Sequence, residues 1–204
     1  GQADPALLML LAELHELEGD AEAAERYLQQ AATVATGERG ATILEQLGDL
    51  HAARGEHREA LAYYLAAAER SPSHAAMLQR RYREVMAAAD SSVQDALTTG
   101  WSAFADYVHN GVGEREVVYG GLSQVRAQLE EALRFVDGVH PPEQVRAEHV
   151  RRQFAYSLAV EATVAALSYV DLGTEGMMER AELRQREALA ELSALRSELG
   201  AAGD

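Results

Sequence analysis

Apolar residues recur along the whole chain at spacings of three and four, which is the period of an amphipathic α-helix. Glycine, proline and short polar stretches divide this pattern into nine segments, at about 5–17, 21–36, 41–54, 57–70, 73–89, 93–109, 114–137, 141–172 and 174–199. No segment shows the alternation of apolar and polar residues that a half-buried strand requires. The pattern therefore predicts an all-α fold.

The first four segments form two similar units that are offset by 36 residues. Identical residue types occupy matching positions of the two units, namely His15 and His51, Gly19 and Gly55, Ala24 and Ala60, and Ala31 and Ala67. Each glycine falls between two helical segments, and the alanines allow the paired helices to approach closely. Two tandem helical hairpins, at 5–36 and 41–72, are therefore predicted.

The second hairpin resembles a tetratricopeptide repeat. The residues that carry this resemblance fall at the family's spacing within about 34 residues, and they are Leu47, Gly48, His51, Gly55, Ala60, Tyr64, Ala67 and Pro72. The first hairpin matches less fully, because Leu28 replaces the family's aromatic residue and Thr36 its closing proline. The resemblance covers about residues 5–72 and implies a concave surface, lined by the first helix of each hairpin, that holds a protein partner.

The positions that this resemblance assigns to a partner-binding groove are Met9, Glu13, Glu16, Leu17, Thr42, Glu45, Asp49, Ala52 and Ala53. Residues 1–72 contain 13 acidic and 5 basic residues, which gives a net charge of −8. We therefore expect an acidic groove with an apolar floor, suited to a basic or amphipathic protein or peptide segment. Alternatively, the four acidic residues of this set are solvated helix surface without a binding role.

Residues 73–204 carry no recognisable family signature. The segment 73–89 has an apolar stripe that is expected to cap the second hairpin, and Asp90-Ser91-Ser92 is a plausible junction. The division expected is thus a repeat domain at 1–89 and an antiparallel helical bundle of four long segments at 90–204. The predicted seams of that bundle include Leu97, Trp101, Phe104, Val118, Leu122, Val125, Leu129, Val136, Phe154, Leu158, Val164, Leu167, Leu192, Leu195 and Leu199.

The net charge of the chain limits the classes of macromolecule that it is expected to bind. It has 33 acidic and 18 basic residues, so its net charge of −15 repels nucleic acid and anionic membrane surfaces. The arginine clusters at 80–83 and 146–152 are expected to pair with carboxylates or form a subunit contact. All 18 basic residues are arginine, which excludes lysine Schiff-base chemistry and is typical of a GC-rich, bacterial genome.

The chain has no cysteine, no apolar run long enough to span a membrane and no signal-peptide pattern. Cytoplasm and periplasm are both compatible with these features. Because residue 1 is glycine rather than methionine, a processed or truncated N terminus is compatible as well.

Catalytic and metal-binding motifs are absent from the sequence. The Glu-x-x-His pair of metal-binding bundles does not occur, and Asp106 with His109 gives a similar spacing only once. We therefore predict no metal, no cofactor and no enzymatic activity. Glu161 lies in an apolar run, but near the edge of the apolar face of its helix, where it is expected to reach solvent or an arginine. His15 and His51 are expected to be packed core residues.

Two functional hypotheses follow. The first is a protein–protein interaction adaptor or assembly factor that binds its partner in the acidic groove. The second places the function in residues 91–199, as a ligand-sensing or dimerising bundle to which the repeats are an appendage.

The apolar run Leu7 to Leu11 presents more hydrophobic surface than one neighbouring helix can bury. Further repeats, the bundle or self-association as a homo-oligomer could each bury it.

Overall fold

The computed structural model describes residues 4–201, without the side chains of residues 175 and 199–201. Within this range the secondary structure is helical and contains no strand, which confirms the predicted all-α class. The α-helices are α1 (Pro5–Glu18), α2 (Ala21–Val34), α3 (Gly37–Ala53), α4 (His57–Arg70), α5 (Pro72–Ala105), α6 (Arg115–Asp137), α7 (Arg146–Leu172) and α8 (Glu175–Ala201). A π-helical turn, Asp106–Asn110, follows α5, and a 3-10 turn, Glu143–Val145, precedes α7.

The first four helices form the two predicted hairpins, α1 with α2 and α3 with α4. Asp4 and Asp20 cap α1 and α2, because each side chain accepts a 3.0 Å hydrogen bond from a backbone amide of the first turn. Gly19 and Gly55 turn the chain inside each hairpin with φ angles of 78° and 74°, a left-handed conformation that glycine adopts without steric cost. Equivalent residues thus build equivalent turns.

Small residues bring the paired helices close together. Ala24, Ala31, Ala60 and Ala67 are all buried. A Cβ atom added at Gly48 would lie only 2.4 Å from Cε1 of the buried Tyr64, so α3 and α4 touch at this glycine. One hydrophobic cluster fills the hairpins, formed by Leu8, Ala12, Ala24, Leu28, Ala31, Ala35, Ala41, Ile43, Leu44, Leu47 and Ala67.

Helix α3 begins earlier than predicted. The sequence places a break at residues 37–40, but the helix already starts at Gly37, whose φ angle of 58° provides the turn. Gly40 lies inside the helix, where an added Cβ would stand 2.8 Å from the carbonyl oxygen of Ala35. These glycines therefore serve a close passage between the end of α2 and the start of α3 rather than a loop.

Helix α5 continues through Asp90-Ser91-Ser92, so the predicted break in the helix at this point is wrong. The hydroxyl groups of Ser91 and Ser92 donate to the carbonyl oxygens of Ala87 and Ala88, four residues earlier, at 3.1 and 3.2 Å. These hydrogen bonds satisfy the serines within the helix, whereas a serine cap would need them at a helix start.

The chain forms two compact units, one ending at Met86 and the other beginning at Ala87. The first contains both hairpins and residues 72–86 of α5, and the second contains the rest of α5 with α6, α7 and α8. The domain division expected from the sequence, 1–89 and 90–204, stays a proposal, and residues 1–3 and 202–204 of those ranges lie outside the described residues.

In the second unit, α6 and α7 run antiparallel. Arg115, at the start of α6, donates to the carbonyl oxygens of Val170 and Asp171 at the end of α7, both at 3.0 Å. Gln153, near the start of α7, donates to Asp137 at the end of α6, also at 3.0 Å. The polar contacts at both ends thus fix the relative direction of these two helices.

Helices α7 and α8 are also antiparallel. Arg151 near the start of α7 pairs with Glu198 near the end of α8 at 2.8 Å, and Glu161 further along α7 pairs with Arg184 at 3.2 Å.

None of the helices within residues 4–201 combines the length and the apolarity that a membrane span needs.

The packed face of α7 differs from the predicted seam. Phe154 and Val164 were placed in the core by their spacing, but they are 55% and 40% exposed, so this prediction is wrong. From Phe154 onward helix α7 is apolar on most sides, and its buried residues include five alanines as well as larger side chains, namely Ala155, Ala159, Ala162, Ala165, Ala166, Tyr156, Leu158, Leu167 and Val170. The alanines permit neighbouring helices to approach closely, and Phe154 and Val164 lie outside this packed side. The side chain of Leu199, also in the predicted seam, lies outside the described residues.

A charged network lies in the interior of the second unit. Arg152 has no exposed surface, and its Nε donates to Asp90 Oδ2 at 2.8 Å, while the Tyr156 hydroxyl donates to Asp90 Oδ1 at 2.9 Å. Burial raises the pKa of Asp90 above its usual value, although the charge and hydrogen bond of Arg152 oppose this shift. Among the described residues, Nη1 and Nη2 of Arg152 have no hydrogen-bond acceptor.

Candidate functional site

A groove lies on the first unit, along the first helices of the two hairpins. It has a volume of about 380 Å³ and is lined by Glu16, Ala21, Gln46, Asp49, Leu50, Ala53 and Arg54. Most of these residues belong to α3, with Glu16 contributed by α1 and Ala21 by the start of α2. The recess therefore combines carboxylates with apolar surface.

The phase of α3 explains which of its residues line the groove. Gln46, Asp49, Leu50 and Ala53 follow one another at spacings of three, one and three, so at about 100° per residue they share one face of the helix. Ala52 precedes Ala53 by a single residue and is therefore turned by about 100° away from that face. Sequence reasoning missed Gln46, Leu50, Ala21 and Arg54, although the same spacing rule would have found the first two.

On α1, the structure brings only one of the four predicted residues to the groove. Glu16 lines it, and Glu13, one turn earlier, is exposed. Met9 is partly buried and packs against the hydrophobic cluster of the hairpins. Leu17 is 87% exposed but does not line the recess, because it follows Glu16 by one residue and points to another side of the helix.

Of the five residues of α3 that the sequence assigned to the groove, Asp49 and Ala53 line the recess and three do not. Thr42 donates its hydroxyl hydrogen bond to the carbonyl oxygen of Glu38 at 3.1 Å, within the same helix. Ala52 and Glu45 are partly buried beside the groove face.

The carboxylate of Glu45 is held by basic side chains of the same chain. Arg81 donates to Glu45 Oε1 from Nε at 2.9 Å and from Nη2 at 2.6 Å. His74 Nε2 lies 3.2 Å from the other carboxylate oxygen, Oε2. With only 16% of its side chain exposed, Glu45 serves first as the counter-ion of Arg81.

Asp49 joins the same cluster and also faces the groove. Its Oδ2 accepts from Arg81 Nη2 at 3.2 Å, and its Oδ1 accepts from the Tyr64 hydroxyl at 2.7 Å. Burial, followed by the hydrogen bond to Asp49, raises the pKa of Tyr64 well above its usual range, so the phenol stays protonated as a donor. The Asp49 side chain remains 47% exposed and is therefore accessible to a second cation.

The two repeated histidines are aromatic packing residues. His15 stacks on Tyr27 with ring centroids 5.3 Å apart, and His51 stacks on Tyr63 with centroids 5.1 Å apart. Both stacks obey the 36-residue offset. His51 is buried as predicted, whereas 26% of the His15 side chain is exposed, so His15 packs against Tyr27 but is not the core residue that the repeat predicted.

Other candidate residues of the sequence have structural partners. Glu161 pairs with Arg184 at 3.2 Å and with Arg180 at 3.5 Å, as its position near a face edge predicts. His109 contacts Glu182 at 2.9 Å, and Asp106 Oδ1 accepts a 3.0 Å hydrogen bond from the side-chain amide of Asn110, four residues later. Within residues 4–201 there is no cluster of three or more His, Asp or Glu side chains that suits a metal ion.

The arginine clusters are engaged in ion pairs. Arg80 pairs with Glu84, Arg146 with Glu143, and Arg151 with Glu191 and Glu198. Arg81 and Arg152 are the centres of the two networks described above. These pairings agree with the expectation that the clusters pair with neighbouring carboxylates.

Comparison with known proteins identifies the repeat segment. Residues 4–73 match the family model described as tetratricopeptide repeat, which confirms the resemblance carried by the hairpins. The match covers about a third of the 204 residues. Repeats of this family generally mediate protein–protein interaction and are typically non-enzymatic. No curated protein and no solved structure gives a significant match to the chain.

Proposed function

We propose that this protein is an interaction adaptor or assembly factor whose groove along α1 and α3 holds a basic or amphipathic segment of a protein partner. The observation that carries the proposal is the groove, where Glu16 and Asp49 adjoin the apolar Leu50 and Ala53. Burial of apolar surface would contribute about 25 cal/mol per Å². The carboxylates would select basic residues and fix the direction of the bound segment.

The charge of the groove supports a basic ligand. Glu16 is exposed and makes no hydrogen bond or ion pair with the residues that the structure describes, and the Asp49 side chain keeps 47% of its surface exposed. Arg54, the basic residue of the lining, is occupied, since it donates to Glu25 Oε2 at 2.6 Å and to the carbonyl oxygen of Ala21 at 2.9 Å. The negative charges are therefore more available to a partner than the positive one.

Arg81 modulates this charge. Because it already neutralises Glu45 and part of Asp49, a basic residue of the partner must share Asp49 with it or displace it. Replacing Arg81 by Gln is expected to strengthen the binding of a basic partner several-fold, provided that the fold is retained in circular dichroism. A weaker interaction with this folded variant would contradict the proposed use of Asp49.

The experiment that tests the proposal is capture of the partner from the native host followed by mass spectrometry and a binding assay with the purified partner. Glu16→Arg reverses a groove charge that has no internal counter-ion among the described residues, so it should leave the fold intact. We expect it to weaken binding by about tenfold, which corresponds to roughly 1.4 kcal/mol.

Glu59→Arg is the matched control. Glu59 is an exposed carboxylate on α4, outside the groove, so its reversal makes the same change in net charge. Equal losses of affinity in the two variants would indicate long-range electrostatics rather than groove binding. An unchanged affinity of Glu16→Arg would exclude the groove as the binding surface.

A second candidate function, a dimerising bundle, is favoured by one observation on α7. Val150, Phe154 and Val164 are 56%, 55% and 40% exposed, and their spacings of four and ten residues place them within about 80° of one another on the helix, on one face. If this face joins two copies, the chain should sediment as a dimer and Val150→Gln/Phe154→Gln should sediment as a monomer. A wild-type chain that is monomeric at micromolar concentration would exclude this function.

A further inference from the structure

Helix α1 exposes a row of leucines outside the groove. Leu7, Leu10, Leu14 and Leu17 are 55%, 61%, 50% and 87% exposed. Their spacing of three, four and three residues aligns them along one side of the helix, over a length of about 15 Å. Together they present on the order of 400 Å² of apolar surface, a size at which an exposed patch usually marks an interaction site. We call these four residues the leucine stripe.

The leucine stripe is not part of the core of the hairpins. Leu8 and Ala12 are the buried residues of α1, and at about 100° per residue they lie on the side of the helix opposite the stripe. The stripe also differs from the groove face, because Glu16 is turned by about 100° from Leu17. Helix α1 therefore carries three distinct faces, of which the stripe has no cover among the described residues.

Acidic residues border the stripe on both sides. Glu13 lies along one edge and Glu18 along the other, and both are exposed. Helix α1 contains no arginine, and its one histidine, His15, is stacked on Tyr27. The apolar row is thus flanked by two carboxylates, of which Glu18 has His15 Nδ1 at 3.4 Å and Glu13 has no partner among the described residues.

We propose that the leucine stripe is a second docking surface, which binds an amphipathic helix of another protein with an apolar seam flanked by basic residues. In such a pair, the leucines pack against the seam of the partner, while Glu13 and Glu18 face its basic flanks, in the manner of the charged edge positions of a coiled coil. This inference goes beyond the groove and does not depend on it.

A second copy of this chain fits the stripe poorly. Pairing two stripes would bring Glu13 and Glu18 of one copy against the same carboxylates of the other, and like charges at these edge positions destabilise helix pairs. A heterologous helix with lysine or arginine at its edges avoids the repulsion.

The test uses two synthetic helical peptides of about three heptads each, with leucine at both seam positions. One carries lysine at the edge positions and the other carries glutamate there. Fluorescence anisotropy with the full chain should show binding of the lysine peptide at least tenfold tighter than that of the glutamate peptide. Equal binding of the two peptides, or no binding of either, would overturn the proposal.

Variants of the chain then locate the binding surface. Leu10→Gln/Leu14→Gln removes half of the stripe at exposed positions and should weaken binding of the lysine peptide at least tenfold, whereas Leu65→Gln, at an exposed leucine on α4, should have no effect. Glu13→Gln/Glu18→Gln should weaken the same peptide and reduce the salt dependence of its binding. Glu16→Arg should change it less than either double variant, which separates the stripe from the groove.

Analytical ultracentrifugation of the wild type and of Leu10→Gln/Leu14→Gln completes the test. The expected result is that the leucine variant has the same oligomeric state as the wild type. A dimer that dissociates on this double substitution would overturn the proposal in favour of a second copy of the chain.

Discussion

At the scale of single residues, close helix contacts depend on where a glycine stands. Gly48 faces Tyr64, and a Cβ atom there would lie 2.4 Å from Cε1 of that buried ring. Gly120 lies in the middle of α6, where an added Cβ meets no heavy atom within 4 Å. Gly48 is therefore required by a close helix contact, whereas Gly120 could be replaced by a larger residue without a steric clash.

Gly48→Ala is expected to destabilise the protein by about 1–3 kcal/mol, because the added methyl group would overlap the Tyr64 ring, which is buried and hydrogen-bonded to Asp49. Gly120→Ala is the matched control and should stabilise it by roughly 0.5–1 kcal/mol through the higher helix propensity of alanine. Urea denaturation followed by circular dichroism measures both. A neutral Gly48→Ala would show that the contact between α3 and α4 relaxes freely.

A second residue-scale prediction concerns His149. Burial, followed by the positive charge of Arg152, lowers its pKa, although Asp137 opposes this shift. The unfolded chain therefore takes up a proton at pH values where the folded chain does not. The stability due to neutral His149 is present above the unfolded pKa of about 6.5 and is lost as the pH falls through and below that value.

His149→Gln should accordingly lose less stability than the wild type between pH 7.5 and pH 5.5, as measured by thermal unfolding at several pH values. The comparison between the two chains removes the effect of the other titrating groups. Parallel pH profiles would mean that His149 takes up its proton equally in the folded and unfolded states.

Residue-scale reasoning from the sequence succeeded where a repeat supplied a second copy of the pattern. Gly48, Tyr64 and the two stacked histidines all lie at repeated or family positions. It failed at Phe154, since α7 is apolar on most sides from this residue onward and the spacing alone does not indicate which side packs. The buried side includes five alanines, which leave a weak signal in a hydrophobic pattern.

At the scale of elements, the buried pair Asp90 and Arg152 links α5 to α7 in the second unit. Taking both charges out of water is costly, and Nη1 and Nη2 of Arg152 have no acceptor among the described residues to offset that cost. Removal of one partner alone leaves an uncompensated charge in the interior. The pair is therefore sensitive to single substitutions.

Asp90→Leu is expected to destabilise the protein by about 3–5 kcal/mol, whereas Asp90→Leu/Arg152→Met should recover most of that loss because no buried charge remains. Denaturant unfolding of the two variants and the wild type measures the difference. A double variant as unstable as the single one would show that the ion pair contributes net stability which apolar packing cannot replace.

Element boundaries show why the remaining predictions failed. Asp90-Ser91-Ser92 resembles a helix junction. In the structure, however, Asp90 accepts a hydrogen bond from Arg152, and the two serine hydroxyls donate to backbone carbonyl oxygens of α5 itself. Such tertiary partners lie 62 residues away in the sequence and leave no local signal. The groove shows the same limitation, since the engagement of Glu45 by Arg81 depends on a contact between residues 36 apart.

At the scale of the whole molecule, the net charge of −15 opposes compactness, while numerous internal ion pairs favour it. Most of the pairs are partly exposed and contribute little individually, so the net repulsion should dominate at low ionic strength. The midpoint of thermal unfolding at pH 7 is therefore expected to rise as sodium chloride increases from 10 to 200 mM. A midpoint that falls over this range would mean that the ion pairs outweigh the repulsion.

The apolar spacings of three and four predict the helical class and the 36-residue repeat predicts the paired hairpins, because local pattern and global packing agree there. The identity of a partner is different in kind. It depends on which carboxylates remain without a basic partner after folding. In the first unit, the contacts of Arg81, Arg54 and His74 show which carboxylates are already paired within the chain.

The repeated ring stacks, His15 on Tyr27 and His51 on Tyr63, have a consequence for how such an array grows. Each hairpin contains its own ring stack and its own glycine turn. The contacts within a hairpin therefore do not depend on its position in the repeat array. Duplication of residues 37–72 in a gene would add a complete module with these parts already in register. The array is thus open to lengthening by a single recombination event, and each added module would extend the row of first helices by one.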